Sequence, residues 1–260
     1  YFRTDFVNSL AFIGDPFEMS ILYAFSLIGI LGVHESGHLI AARKHKIKTT
    51  WPYFIPGVPV FGIPTFGAVI QSKGLTINRD ILFDVAIAGP IAGLVIAIIV
   101  CIFGAYTSPE ISNELADELF KDQSLMKMNM PILMSISLDA FDKGGNDTEV
   151  IMSPILFAAW LGFLITFLNL LPAWQLDGGH MARSLFGKKW HQIATYASMG
   201  VLALLGYWFM ALFILLLSAR SRDARPLDDI SPLTKNRKKM FIVVIILGVL
   251  CAPLPSGILP

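Results

Sequence analysis

His34, Glu35 and His38 are the residues whose types and spacing most directly imply chemistry in this 260-residue chain. On a helix, positions i and i+4 share one face, so the two imidazoles of this HExxH pattern can offer nitrogens to a single metal ion. Glu35 follows the first histidine and can stand beside a metal-bound water as general base. A third donor is available at Asp177, the one acid in the apolar stretch NLLPAWQLDGGH. Two histidines and a carboxylate leave one position on zinc open for water, which is the pattern of a catalytic site. The other reading makes Asp177 the cap of a helix starting at Gly178, and the two roles are compatible. Asn169 lies eight residues before Asp177. Its amide could hold a peptide backbone or a developing oxyanion, or bond a neighbouring helix. His180 reads as a supporting or interfacial group, because a fourth protein ligand would close the site.

The element that must position the histidines is residues 21–42, ILYAFSLIGILGVHESGHLIAA. It is long and apolar enough to span a bilayer, which takes about 20 residues. Ionisable groups in such a span are costly and mark function by default; the alternative is a helix whose polar groups are satisfied by its neighbours. Composition agrees with a membrane protein: 55% hydrophobic and 15% charged residues, against roughly 25% charged in soluble domains. A net charge of +1 with no concentrated basic face interleaved with aromatics gives no sign of a nucleic-acid partner. Cys101 and Cys251 fall in apolar stretches and read as core thiols, not as a disulfide framework or zinc ribbon. The opening YFRTDFVNSL lacks the apolar region of a signal peptide, and the chain starts without Met, so an upstream segment is expected to be missing.

The chain reads as a single membrane-embedded domain over 1–260. Residues 1–20 are an interfacial lead-in presenting Phe2, Phe6, Phe12 and Phe17. The HExxH helix covers 21–43 and ends in Arg43, Lys44, Lys46 and Lys48, cations that mark the cytoplasmic side. His38 stands five residues before Arg43, about 7–8 Å at 1.5 Å per residue, which places the ligands in the inner half of the membrane. His45, within the basic run, reads as a solvated loop histidine. Residues 49–80 are rich in Pro and Gly and carry a short strand in TFGAVIQSKG. Its edge, Phe66, Gly67, Ala68, Val69 and Ile70, could pair with an extended substrate, or the hairpin could be purely structural. A second helix covers 81–106, where Gly89-Pro90 and Gly93 read as a kink or close helix contact. Asp84 reads either as a partner of a ligand histidine or as a group reaching the inner surface.

Residues 107–149 form an outer segment, with nine acids against Lys121, Lys127 and Lys143. A surface helix is expected over 110–128 and a short apolar piece over 130–141, and Asn146-Asp147-Thr148 matches a glycosylation sequon. A third span is expected over 151–171, inside a helical segment 151–182 that Pro172 breaks and that carries the LDGG motif. Residues 190–218 read as a helical hairpin turning near Gly206-Tyr207-Trp208, because one long span would put Arg220, Arg222, Arg225, Lys235, Arg237, Lys238 and Lys239 outside. A basic inner loop, 219–239, and a last apolar segment, 240–260, complete the chain.

HESGH within a span, a Gly- and Pro-rich segment containing FGAVI, and NLLPAWQLDGGH in a later span together resemble the site-2 protease family of intramembrane zinc metalloproteases, and most closely its archaeal members. The resemblance implies that His34, His38 and Asp177 bind one zinc and that Glu35 is the catalytic base. It implies that Asn169 contacts substrate or oxyanion, that the strand near Phe66 presents substrate, and that paired helices stand where the hairpin is expected; such a pair beside the site could move as a gate for substrate. Ala173-Trp174-Gln175 departs from the proline-rich step of many members, and the outer segment is too short for a PDZ-like insert.

The sequence therefore predicts an all-α polytopic membrane protein of about six transmembrane helices with a small β element. It predicts a zinc metalloendopeptidase that cuts transmembrane segments of membrane-protein substrates, sited toward the cytoplasmic side of a prokaryotic, archaeal cell membrane. Two other readings stand beside it: a membrane zinc protease acting on soluble or lipidated peptides, and a non-enzymatic metal-binding membrane protein.

Overall fold

The computed structural model describes residues 14–51, 53–56, 65–69, 77–119, 128–145, 147–174, 176–220 and 226–253. Eight helices are present among them: α1 (Pro16–Lys44), α2 (Arg79–Thr107), α3 (Asn113–Leu119), α4 (Ile132–Asp139), α5 (Pro154–Leu170), α6 (Asp177–Leu204), α7 (Trp208–Arg220) and α8 (Lys235–Cys251). Among the described residues four short strands form two antiparallel pairs. β1 (Tyr53–Pro56) lies beside β2 (Thr65–Val69), and β3 (Glu110–Ser112) beside β4 (Thr148–Val150). Phe2, Phe6, Phe12, Ile70, Asn146, Gln175, Arg222 and Arg225 lie outside the described residues.

Among the described residues, two helices are long and apolar enough to cross a membrane, α1 and α2, each of 29 residues; α5 is apolar but has 17. Both long helices expose large apolar side chains, Phe25, Ile28 and Ile40 on α1 and Val95, Ile99, Ile102 and Phe103 on α2. Water penalises apolar surface of that extent; hydrocarbon does not.

The chain divides into two compact units, one of Tyr1–Ile30, Val95–Leu164 and Ala252–Pro260, the other of Leu31–Leu94 and Ile165–Cys251. In the first, Asp15 starts α1 by accepting the backbone N–H groups of Phe17 and Glu18 at 3.0 and 3.1 Å, the usual work of an N-terminal Asp. The Lys143 ammonium donates to the carbonyls of Ala105, Tyr106 and Ser108 at 2.6–2.8 Å, closing the C-terminal end of α2. The helix expected over 110–128 starts later, at Asn113, and its stretch 120–127 lies outside the described residues. Glu110–Ser112 pairs instead with Thr148–Val150, and α3 follows as a helix of 7 residues. The Glu110 carboxylate accepts from Gly144 N and Thr148 Oγ1, so long-range partners outweigh the helical pattern of the local sequence. The third span likewise starts later than 151, at Pro154. Cys101 and Cys251 are buried free thiols.

The second unit is built on Phe83, Ala86, Ile87, Leu170, Met181, Ala182, Leu233, Phe241 and Val244, which bring α2, α5, α6 and α8 onto one apolar core. Charges ring it. Arg183, 2% exposed, holds Asp229 through both carboxylate oxygens at 3.0 and 2.7 Å. Arg79 also binds Asp229, at its carboxylate and its carbonyl. The Arg183 guanidinium holds the Asp229 carboxyl below the usual carboxylate range. Arg237 forks onto Asp84 with two bonds of 2.6 Å and reaches Asp80 at 2.9 Å. His45 also meets Asp84, at 3.1 Å. His45 is thus a hydrogen-bond partner of Asp84 and not a solvated loop group, and Asp84 serves Arg237 and His45. Lys235, Arg237, Lys238 and Lys239 belong to the first turns of α8 and not to a loop; the acids at the start of α2 offset the cost of placing the Arg237 cation there. Gly187 (φ 77°) interrupts α6, and Leu205-Gly206-Tyr207, with Gly206 at φ 86°, turns the chain from α6 into α7.

Candidate metal centre

His34 and His38 project from one face of α1, and Asp177 is the first residue of α6. Their side chains meet. The two Nε2 atoms stand 3.1 Å apart, Asp177 Oδ2 lies 3.3 Å from His34 Nε2, and Asp177 Oδ1 lies 3.4 Å from His38 Nε2. Donors held at 2.0–2.1 Å on a tetrahedral zinc are separated by about 3.3 Å, so this triangle has the size that the ion requires. Among the described residues it is the cluster of His, Cys, Asp and Glu able to hold a metal. The N-cap of α6 is Leu176, without a side-chain cap bond. Asp177 sits inside the helix and its carboxylate faces the imidazoles, so the capping reading fails.

His38 Nδ1 lies 2.7 Å from the Val85 carbonyl of α2. A carbonyl only accepts, so Nδ1 carries the proton and Nε2 presents its lone pair to the other donors. Glu35 is half-buried and within electrostatic range of His38, His34 and Asp177, yet it is not one of the three donors. Asn169, near the end of α5, brings Nδ2 to 3.5 Å from His34 Nε2. His180, one turn into α6, is half-buried and outside the donor cluster. β2 carries Phe66, Gly67, Ala68 and Val69, with Ala68 and Val69 opposite Phe54 and Tyr53 of β1. In this two-stranded sheet each strand has one edge unpaired among the described residues.

The small residues of α2 are what the sequence reading undervalued. A Cβ on Gly89 would fall 2.1 Å from His38 Nε2, and one on Gly93 would fall 2.9 Å from His34 Cβ. A Cβ on Gly37 would meet the Ala88 carbonyl oxygen at 2.5 Å. As the α1 number rises by four, its α2 partner falls by four, so the helices run antiparallel here with glycines opposite the imidazoles. The signal was present: two glycines at the same i, i+4 spacing as the two histidines.

Asp177 is held from behind. Trp174 adopts φ 46°, its N–H donates to Thr195 Oγ1 at 3.0 Å, and its carbonyl accepts from His191 Nε2 at 2.9 Å. A Cβ on Gly178 or Gly179 would press to 2.1–2.3 Å on the carbonyls of Leu170 and Trp174. The paired glycines therefore let the loop pack directly on the first turn of α6. Neither His191 nor Thr195 carried a sequence signal, because both bind backbone atoms.

The model of peptidase family M50 matches residues 22–213, which include every donor of the triangle, Glu35 and Asn169. The chain is 29% identical over 250 residues to "Probable zinc metalloprotease EGY1, chloroplastic" of Arabidopsis thaliana, covering 91% of this chain and 45% of that protein. It is 31% identical over 236 residues to the EGY2 protein of the same plant, likewise named a probable zinc metalloprotease, covering 87% and 40%. The EGY2 protein of Oryza sativa subsp. indica is 30% identical over 237 residues, covering 87% and 41%. The chain thus spans less than half the length of these relatives. A family match across 22–213 establishes that this chain belongs to peptidase family M50, the site-2 protease family.

Proposed function

We propose that the chain is an intramembrane zinc metalloprotease that hydrolyses peptide bonds within transmembrane segments of membrane-protein substrates. The observation that carries this reading is the triangle of His34, His38 and Asp177 with Glu35 beside it and outside it. A zinc ion held by those three donors would supply a Lewis acid that polarises the peptide carbonyl and acidifies a water. Glu35 accepts the proton of the attacking water on a carboxylate oxygen and returns it to the departing amine nitrogen. The Asn169 amide donates to the oxygen on which charge develops. Phe66, Gly67, Ala68, Val69 and Ile70 offer a strand edge to the substrate, which must be extended because helical hydrogen bonds shield its carbonyls. The exposed apolar faces of α1 and α2 support a lipid bilayer as surroundings and a transmembrane helix as substrate. No nucleic acid enters this reading.

Purified chain should contain one zinc and cleave a model transmembrane peptide. His34→Ala and Asp177→Ala should each lower metal affinity by more than the roughly 10–100-fold typical of losing a supporting hydrogen bond, because a ligand itself is removed. A chelator should reproduce both losses. Full zinc occupancy in Asp177→Ala would remove Asp177 from the ligand set. Cleavage of soluble peptides alone, with transmembrane segments left intact, would favour a protease of another substrate class.

The finer reading is about six transmembrane helices in a prokaryotic, archaeal-type cell membrane, with the site toward the cytoplasm. The basic residues after α1 and around the start of α8 support that orientation. A reporter fused beside Lys235 should read cytoplasmic; a signal from the outer side would reverse the orientation.

A further inference from the structure

The geometry points to a binding site for the phosphate of an anionic phospholipid headgroup at the C-terminal end of α1. Arg43, Lys46, Ile47, Lys48 and Thr49 line a concavity of about 480 Å³ there. The helix end is closed by its own backbone. Lys46 N–H donates to the Arg43 carbonyl and Ile47 N–H to the Ala42 carbonyl, both at 2.9 Å, in the pattern that seals a helix with one left-handed residue. The left-handed residue is Lys46, at φ 59°. Glycine is the ordinary occupant of that position, because any Cβ is strained there. A lysine in its place keeps a cation at the mouth of the concavity against local backbone preference.

Among the described residues the cluster has no neutralising partner: no carboxylate pairs with Arg43, Lys46 or Lys48. Thr49 Oγ1 is the one buried side-chain nitrogen or oxygen among the described residues with no hydrogen-bond partner. Three cations lining one concavity form a phosphate site, with the unpartnered Thr49 hydroxyl beneath them. The lipid source follows from what surrounds it. Arg43 stacks 4.8 Å over the ring of Trp51, and that indole is 68% exposed, as tryptophans at a membrane surface are. The cluster also ends a helix long and apolar enough to span a bilayer. A seated headgroup would fix the depth of the helix that carries His34 and His38. This inference rests on the membrane reading above, but its test reads lipid retention without turnover, so a missing peptidase activity leaves it standing.

The full chain, purified in detergent and offered equal phosphatidylglycerol and phosphatidylcholine, is analysed by native mass spectrometry for retained lipid. Phosphatidylglycerol should be retained in preference. Lys46→Gly should weaken that retention about five-fold and a Lys46→Gly, Lys48→Gln double variant about 25-fold, at the strength typical of one cation near an anionic lipid. Lys46→Gly should at the same time raise the thermal midpoint, since glycine relieves the left-handed strain; lost folding would lower it. Lys48→Gln alone leaves that backbone untouched and should also weaken retention about five-fold. Equal retention of both lipids, or wild-type retention by both single variants, would overturn the site. Displacement of the lipid by glycerol phosphate at matching concentration would overturn the lipid source in favour of soluble phosphate esters.

Discussion

Glu35→Gln should leave zinc bound and reduce cleavage of a transmembrane peptide by roughly 10²–10⁴-fold, the range that a positioned general base contributes. Glutamine keeps the length and hydrogen-bonding capacity of glutamate but cannot take up the proton of the attacking water. Metal retention is expected because the donor triangle consists of His34, His38 and Asp177, with Glu35 outside it. The variant therefore separates two ways of losing activity. His34→Ala should lose metal and turnover together; Glu35→Gln should lose turnover alone and bind substrate as before. Metal analysis alongside a single-turnover cleavage assay checks this. Wild-type turnover in Glu35→Gln would mean that another group handles the proton. Zinc bound tightly by wild type and variant alike, with no cleavage by either, would favour a metal-binding protein without enzymatic activity.

What could be read from the sequence follows how local each determinant is. The pairing of His34 with His38 depends only on helical spacing, so five residues suffice to see it. The turn between α6 and α7 is local as well, carried by Gly206 at positive φ. Asp177 stood out as a candidate donor because an acid in an apolar stretch needs a partner, although its role as a cap was set aside only with Leu176 seen at the N-cap. Non-local pairing was illegible. The stretch from Glu110 has helix-forming composition, but Thr148 and Gly144, more than 30 residues away, draw Glu110 into a strand. His45 sits among lysines in sequence and beside Asp84 in space. Backbone partners were the least visible, since the Val85 carbonyl that orients His38 and the Trp174 amide and carbonyl held by Thr195 and His191 could belong to any residue type.

Gly89→Ala should remove metal binding and cleavage although residue 89 binds no metal. Its added methyl would lie 2.1 Å from His38 Nε2, 2.5 Å from Cδ2 and 2.5 Å from Cε1, inside the van der Waals envelope of the whole ring. Alanine is the better helix former by about 1 kcal/mol, so the helix itself has no reason to fail. The conflict must be resolved by the imidazole swinging away or by α1 and α2 separating. Swinging breaks the 2.7 Å bond from Nδ1 to the Val85 carbonyl and withdraws Nε2 from Asp177. Separation is opposed by Gly37, whose position allows the α2 backbone to approach closely at Ala88. Either route takes one of three donors out of place, so metal affinity should fall by more than the roughly 10–100-fold seen when only an orienting hydrogen bond is lost. Gly29→Ala is the control: it adds the same methyl to α1, with nothing within 4 Å, and should keep both metal and activity. Gly93→Ala should fall between them, since its methyl meets His34 Cβ at 2.9 Å and Nδ1 at 3.1 Å, a smaller overlap than the 2.1 Å at His38 Nε2. Wild-type zinc content in Gly89→Ala would show that the ring has room the structure does not give it, and would sink the idea that α2 sets the position of His38.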